Sequence, residues 1–221
     1  MTRTPRVEYP GALYHVTARG VQRGAIFLDD SDRRQLLRLL ASTMNAGNAH
    51  AFAYCLMGNH YHFVIQTREA NLSALMHRIN FSYGQAFNRR HGRSGHLLEG
   101  RFKAIHVDRE DYLLEVCRYV ELNPVRAGLI ESPAQWKWSS YRAHTGSAPP
   151  LTWLATAELL AVLTGRTPEG EPEFDAAQRE YIGWVEAGRH LRLWSGSLRH
   201  GQYLGSDAFV QRMMAERLES C

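Results

Sequence analysis

The chain has 221 residues, 44% of them hydrophobic and 22% charged, with a formal net charge of +4. That is length for one domain, or one with an extension, and enough apolar content to bury a core, so a disordered chain is excluded. Residues 1–150 hold 19 Lys and Arg against 12 Asp and Glu, whereas residues 151–221 hold 7 against 10, so the basic character belongs to the first two-thirds. Such a surplus fits a polyanionic partner such as nucleic acid, and fits a bland basic protein equally well.

In chain order, LYHVTARG (13–20) predicts a strand after Pro10-Gly11. Asp30-Ser31-Asp32 opens a helix with Leu36, Leu37, Leu40 and Met44 on one face, and Gly47 marks its end. AHAFAYCLM (49–57) and YHFVIQT (61–67) read as a hairpin turning at Gly58-Asn59. Asn71 opens a second helix whose stripe is Leu72, Leu75, Met76, Ile79, Tyr83 and Phe87, with a basic far end at Arg89, Arg90, His91 and Arg93. FKAIHVD (102–108) is a fourth strand. A third helix starts near Asp108–Asp111 and runs through Leu113, Leu114, Cys117 and Val120. It is expected to end at Asn123, because the residue before a proline resists helical geometry.

The order β-α-β-β-α-β-α predicts an α+β fold over residues 1–148, a ferredoxin-like or RRM-like unit with a mainly antiparallel sheet and helices on one face. Residues 149–221 read as a helical C-terminal extension. Its helices are Leu154–Leu163 ending at Gly165, a stripe of Phe174, Ala177, Tyr181 and Trp184 ending at Gly188, and a third capped by Ser206 with Phe209, Met213 and Leu218. Three cysteines, Cys55, Cys117 and Cys221, lie far apart with no C-x-x-C. They give neither a disulfide framework nor zinc-finger spacing and fit a reducing cytoplasm. No apolar run is long enough to span a membrane, and MTRTPRVEYPG lacks the apolar stretch of a secretory signal.

Two short segments carry chemistry. His60 and His62 are two residues apart on a strand, so they share a face about 6.6 Å apart and can converge on one metal ion. Two polar strand residues facing solvent would show the same pattern. Tyr119 and Asn123 are four apart on a helix and therefore neighbours. Tyr119 lies at the margin of the apolar stripe, where it either turns its hydroxyl to a groove or covers the edge of the core. Together, two imidazoles and an amide oxygen would hold a divalent ion with open positions, a Lewis acid for a phosphoryl oxygen, and the phenol could attack phosphorus. No P-loop, G-x-S-x-G or G-x-G-x-x-G after a strand is present. Zinc hydrolysis would need a further ligand and a base, and Glu121, the nearby candidate, points away from the Asn123 face.

GNHYHFVI, GRFKAIHVD and YLLEVCRYVELNPVRAGL together resemble the single-tyrosine HUH transposases of the insertion-sequence-200 type, most closely the REP-associated tyrosine transposase branch. GALYHVTARGVQRGAIF and WKWSSYRAH extend the likeness, which covers roughly residues 8–145. The resemblance implies that His60 and His62 are the metal histidines, Tyr119 the nucleophile and Asn123 the third metal-facing side chain. Tyr61, between the histidines, and Gly58, where the family commonly has proline, are mild departures. It also implies Mg²⁺ or Mn²⁺ as cofactor. The implied reaction is cleavage and rejoining of single-stranded DNA at REP-like hairpins, through a 5′-phosphotyrosine and a free 3′-OH.

Arg19, Arg23, Arg101, Lys103, Arg118 and Arg126 lie beside these motifs in sequence and are the candidate phosphate contacts. Phe102 and Trp138 are aromatic candidates for base stacking, with core burial as the competing role. A cytoplasmic, nucleoid-associated monomer without membrane contact is expected, rather than a helix-swapped dimer. The competing functional readings are a domesticated REP-hairpin-binding protein without turnover and a zinc phosphoesterase.

Overall fold

The computed structural model describes residues 6–191, 198–199 and 201–219. Residues 1–5 of the opening segment, Cys221 and the side chain of Leu218 lie outside the described residues. The first unit runs β1 (Leu13–Arg19), α1 (Asp30–Ala46), β2 (Ala49–Leu56), β3 (His60–Thr67), α2 (Leu72–His91), β4 (Lys103–Val107) and α3 (Arg109–Arg126). Short helix α4 (Tyr141–His144) leads to α5 (Thr156–Thr164), α6 (Gly170–Ala187), strands β5 (Leu198–Arg199) and β6 (Tyr203–Leu204), and α7 (Asp207–Glu219). Among the described residues, no helix is long and apolar enough to cross a membrane.

The sheet order is β2-β3-β1-β4-β6-β5. Its first four strands are antiparallel neighbours in the ferredoxin-like arrangement. The expected α+β class is therefore present, with one parallel pair, β4 with β6. The segment after residue 149 is not purely helical: it adds two strands to the sheet edge.

Alternation along the strands gives each face its own core. On one face, Tyr14, Val16, Tyr61, Phe63 and Ile65 pack with Leu36, Leu40 and Met44 of α1 and the whole expected α2 stripe. Asp29 caps α1, its carboxylate accepting from the Ser31 and Asp32 amides at 2.8 and 3.1 Å. On the other face, Leu13 and Val64 pack with Val116, Cys117 and Val120 of α3 and with α5 and α6. The expectation of helices on one face thus holds for α1 and α2. The third helix and the extension cover the opposite face, because the sheet is apolar on both sides. A register shift in β2 between Ala51 and Ala53 serves this arrangement, placing Phe52 and Ala53 both on the α3 side.

Helix α3 also runs further than expected, past Pro124 to Arg126. Proline has no N–H for the Val120 carbonyl. The Asn123 side-chain amide substitutes, donating to Val120 O at 3.3 Å and Tyr119 O at 3.0 Å.

Beneath α3 lies a buried polar cluster. Glu121, fully enclosed, is 2.5 Å from Ser140 Oγ and accepts from the Tyr181 hydroxyl at 2.9 Å. His144 approaches it at 3.6 Å, but donates from Nε2 to Phe52 O at 2.8 Å. Burial pushes the Glu121 carboxyl up to about 8 and the His144 imidazole down to about 4, so both are neutral at pH 7 and the contact is not an ion pair. A carboxyl held protonated only in the folded state favours unfolding as pH rises through its unfolded value. Stability from Glu121 is full below pH 4.5 and falls by up to about 1.4 kcal/mol per pH unit between 4.5 and about 8. Glu121→Gln, which cannot ionise, is expected to show a flatter Tm-against-pH profile than wild type over that window. A parallel profile would mean that Glu121 is ionised in the fold.

Candidate active site

The β1–β3 register pairs Arg19 with His60 and Thr17 with His62. His15, Thr17, Arg19, His60 and His62 consequently lie on the face that α3 covers, while Tyr61 and Phe63 turn into the opposite core. The His60 and His62 rings stand 5.0 Å apart at 75°. The ring of Tyr119, half-buried on α3, meets His62 edge-on at 6.0 Å and His15 at 5.8 Å. Two segments almost sixty residues apart in sequence thus meet within one chain.

The tautomers follow from the hydrogen bonds. The Arg23 carbonyl can only accept, so the Asn59 atom 2.8 Å from it is the amide nitrogen. The Asn59 oxygen then faces His60 Nδ1 at 2.7 Å, which must carry a proton, and Nε2 of His60 keeps its lone pair. In His62, Nδ1 lies 2.9 Å from His15 Nε2, and Nε2 is buried with no hydrogen-bond partner. The same reasoning orients Asn123: its nitrogen faces two carbonyls, so the oxygen is the end left for a ligand.

Burial lowers the pKa of both His60 and His62, and the Arg19 charge adds to the effect. His15 is driven by burial to about 3. All three rings are neutral at pH 7, the state that binds metals. Burial raises the Tyr119 phenol and the Arg126 charge opposes this; the Arg126 guanidinium sits 5.2 Å from the ring centroid. No group of three His, Cys, Asp or Glu among the described residues is placed to hold a metal. The candidate donors are of another kind, two imidazole nitrogens and the Asn123 amide oxygen, and the buried Nε2 of His62, which has no hydrogen-bond partner, is a feature that a cation would satisfy.

The histidines open into a cavity of about 750 Å³ lined also by Arg6, Arg19, Arg101 and Lys103, which continues to Gln202 and Tyr203 beside the β4–β6 seam.

A family model described as "Transposase IS200 like" matches residues 9–123. The chain belongs to the IS200-like transposase family. Its fold is similar to that of a REP-associated tyrosine transposase solved bound to a REP hairpin, with 16% identity over 70% of this chain and 92% of that one and a TM-score of 0.56. A tRNA(His) guanylyltransferase from Saccharomyces cerevisiae matches at 10% identity over 87% and 83% of the two chains, with a TM-score of 0.42, too distant to bear on either fold or function. No curated protein matches.

The basic residues singled out from the sequence divide sharply. Arg19, Arg101 and Lys103 are exposed on the groove. Arg23 is exposed in a tight turn with φ of 59°, and its backbone, not its side chain, holds Asn59. Arg126 lies by Tyr119 and donates to Gly188 O at 3.4 Å. Arg118 is a correction. It is 2% exposed, pairs with Glu115 at 2.8 Å, donates to Trp184 O at 3.2 Å and covers the Trp184 ring. It lies so close to Gly188 that a Cβ there would be 2.3 Å from its Cδ. A guanidinium enclosed in this way and bonded through both terminal nitrogens is not available to a phosphate; it fastens α3 to α6. Phe102 is buried under the Arg6 guanidinium, 3.9 Å from the ring centroid, at the groove lining, and Trp138 packs partly buried against the α1–α2 core.

The sequence reading missed His15, Asn59 and Arg6. His15 sits in the same alternating set as Leu13 and Thr17, a polar residue on a central strand, but only the cross-strand register reveals its partner.

Arg118→Leu is expected to lower stability by about 2–4 kcal/mol, a Tm fall of roughly 5–15 °C for a chain of this size. Lys103→Ala should stay within about 0.5 kcal/mol. Thermal unfolding of the two variants measures this, and equal effects would contradict the structural role of Arg118.

Proposed function

We propose that this IS200-like transposase nicks and rejoins single-stranded DNA at REP-like hairpins, with Tyr119 as nucleophile. The observation that carries the reading is the Tyr119 ring packed edge-on against His62 of the same chain, and His62 lines a basic groove. In this reading residues 1–148 are the catalytic unit, and residues 149–221 brace α3. The hairpin substrate is taken from the REP hairpin carried by the structural neighbour.

His60 Nε2, His62 Nε2 and Asn123 Oδ1 would hold a divalent cation, Mg²⁺ or Mn²⁺, with Mn²⁺ the better match to imidazole donors. Bound there, the cation would polarise a phosphoryl oxygen of the scissile diester. Tyr119 Oη forms a bond to phosphorus as the P–O3′ bond breaks. The phenolic proton leaves, the departing oxygen takes up a proton to become a free 3′-OH, and the 5′-phosphate remains on Tyr119. Arg126 steadies the phenolate as it forms. Rejoining reverses these steps without ATP, because the phosphotyrosine keeps the diester energy. Arg19, Arg101 and Lys103 hold phosphates along the groove.

Incubation with an end-labelled REP-type hairpin and Mn²⁺ is expected to give a covalent adduct on a denaturing gel, absent in Tyr119→Phe. His60→Ala and His62→Ala should abolish the adduct while sparing hairpin affinity. Tight hairpin binding without an adduct under Mg²⁺ and Mn²⁺ alike would make the protein a binding module. Diester cleavage that survives Tyr119→Phe would make it a metallohydrolase.

Phosphate contacts release counterions, so hairpin affinity should fall steeply with salt. Each of Arg101→Ala and Lys103→Ala should reduce the slope of log K against log [salt] by about 0.7–0.9. An unchanged slope in both variants would remove the groove from the DNA path.

A further inference from the structure

The two histidines of the site are held in the same way. Nδ1 of His60 bonds to Asn59 Oδ1 at 2.7 Å, and Nδ1 of His62 bonds to His15 Nε2 at 2.9 Å. Both rings are therefore gripped from behind through the same atom and present the same nitrogen, Nε2. The His15 and His62 rings are nearly coplanar, 6° apart with centroids at 5.1 Å. The contact is thus an in-plane N–H to lone-pair bond.

At 2.9 Å one nitrogen must donate and the other accept. If His15 donates, neutral His62 carries its proton on Nε2 and has no lone pair for a cation; if His62 donates, Nδ1 holds the proton, Nε2 is a lone pair turned to the site, and neutral His15 carries its own proton on its buried Nδ1. Each arrangement buries one ring N–H, and the second is the one that leaves His62 able to hold a cation. An imidazole acceptor in the position usually taken by a carboxylate or carbonyl orients the ring without adding negative charge. His15 is itself 3% exposed on the central strand, and the register fixes it next to Thr17, the residue opposite His62. Its ring also flanks Tyr119 at 5.8 Å, so one side chain sets both the metal-facing histidine and the wall behind the phenol.

We propose that His15 is a positioning residue that locks His62 in the Nδ1–H tautomer and aims its Nε2 at the cation. The inference rests on the metal-dependent reading above.

The test uses the full chain. In wild type without metal, long-range ¹⁵N–¹H NMR should show His62 protonated at Nδ1; protonation at Nε2 would overturn the proposal. Mn²⁺ binding to the DNA-free protein, followed by EPR, should weaken about 10- to 100-fold in His15→Leu. His15→Gln, whose Oε1 can accept from Nδ1, should recover to within a few-fold of wild type. Hairpin affinity in EDTA should be the same in all three. His15→Leu binding Mn²⁺ as tightly as wild type, while His62→Ala does not bind, would remove His15 but keep the metal site. Wild type that takes up no more Mn²⁺ than His62→Ala would overturn both readings together.

Discussion

Antiparallel pairing of β1 with β3 is the constraint on which the site depends. It sets Thr17 opposite His62 and Arg19 opposite His60, and with them His15 within hydrogen-bond reach of His62. A shift of one residue would turn both histidines into the α1–α2 core and bring Tyr61 and Phe63 out under α3. The register is resistant to that slip because each face is committed to a different apolar core. The Gly58-Asn59 turn adds a second lock: Gly20 N donates to Asn59 O at 2.9 Å and Ile26 N to Gly58 O at 3.1 Å. The geometry of the candidate site and hydrophobic burial are therefore the same specification.

Helix α3 has to present Tyr119 at one rotation about its axis. The residues on either side supply that rotation with buried polar contacts that tolerate little drift. Arg118 reaches Trp184 and Glu115, and Glu121 reaches Ser140 and Tyr181. Three of these partners belong to segments after residue 130, two of them on α6. The extension thus has a physical task at the site, since its packing holds the helix that carries the phenol. The Asn123 nitrogen repairs the gap left by Pro124, an orientation that suits the ligand role proposed for its oxygen.

Much of this was legible in the sequence because period and composition report burial directly. The α2 stripe from Leu72 to Phe87 is buried at every named position, and alternation along 60–67 correctly divides His62 from Tyr61 and Phe63. What was not legible depends on contacts between distant segments. Nothing local distinguishes Arg118 from Arg126, eight residues on along the same helix, yet one is enclosed by α6 and the other lies by Tyr119. His15 carries no signal of its own until its strand is placed beside β3. The added strands at 198–204 are two residues each, too short for any pattern to declare them. Pro124 misled in the other direction: the steric bias against helical geometry before a proline is a preference that packing can override, and the Asn123 amide serves the Val120 carbonyl that the proline cannot.

The charge balance of the site has its own logic. The ligands proposed for the cation are neutral imidazoles and an amide, and among the described residues lining the groove Glu99 is the only acid. A carboxylate-rich cage would bind a divalent ion more tightly, but would spend the ion's charge on the protein and repel a phosphodiester. Neutral donors leave that charge for the substrate. Arg19 works in the same sense: its charge adds to the burial that holds the two histidines below their ordinary pKa, and it adds positive potential at the mouth of the groove. The bond from His62 to His15 rather than to an aspartate extends this economy one layer further back. The ring is oriented and its tautomer fixed with no anion placed behind it. On this view the uncharged setting is what allows one small site to hold a cation and a DNA phosphate together.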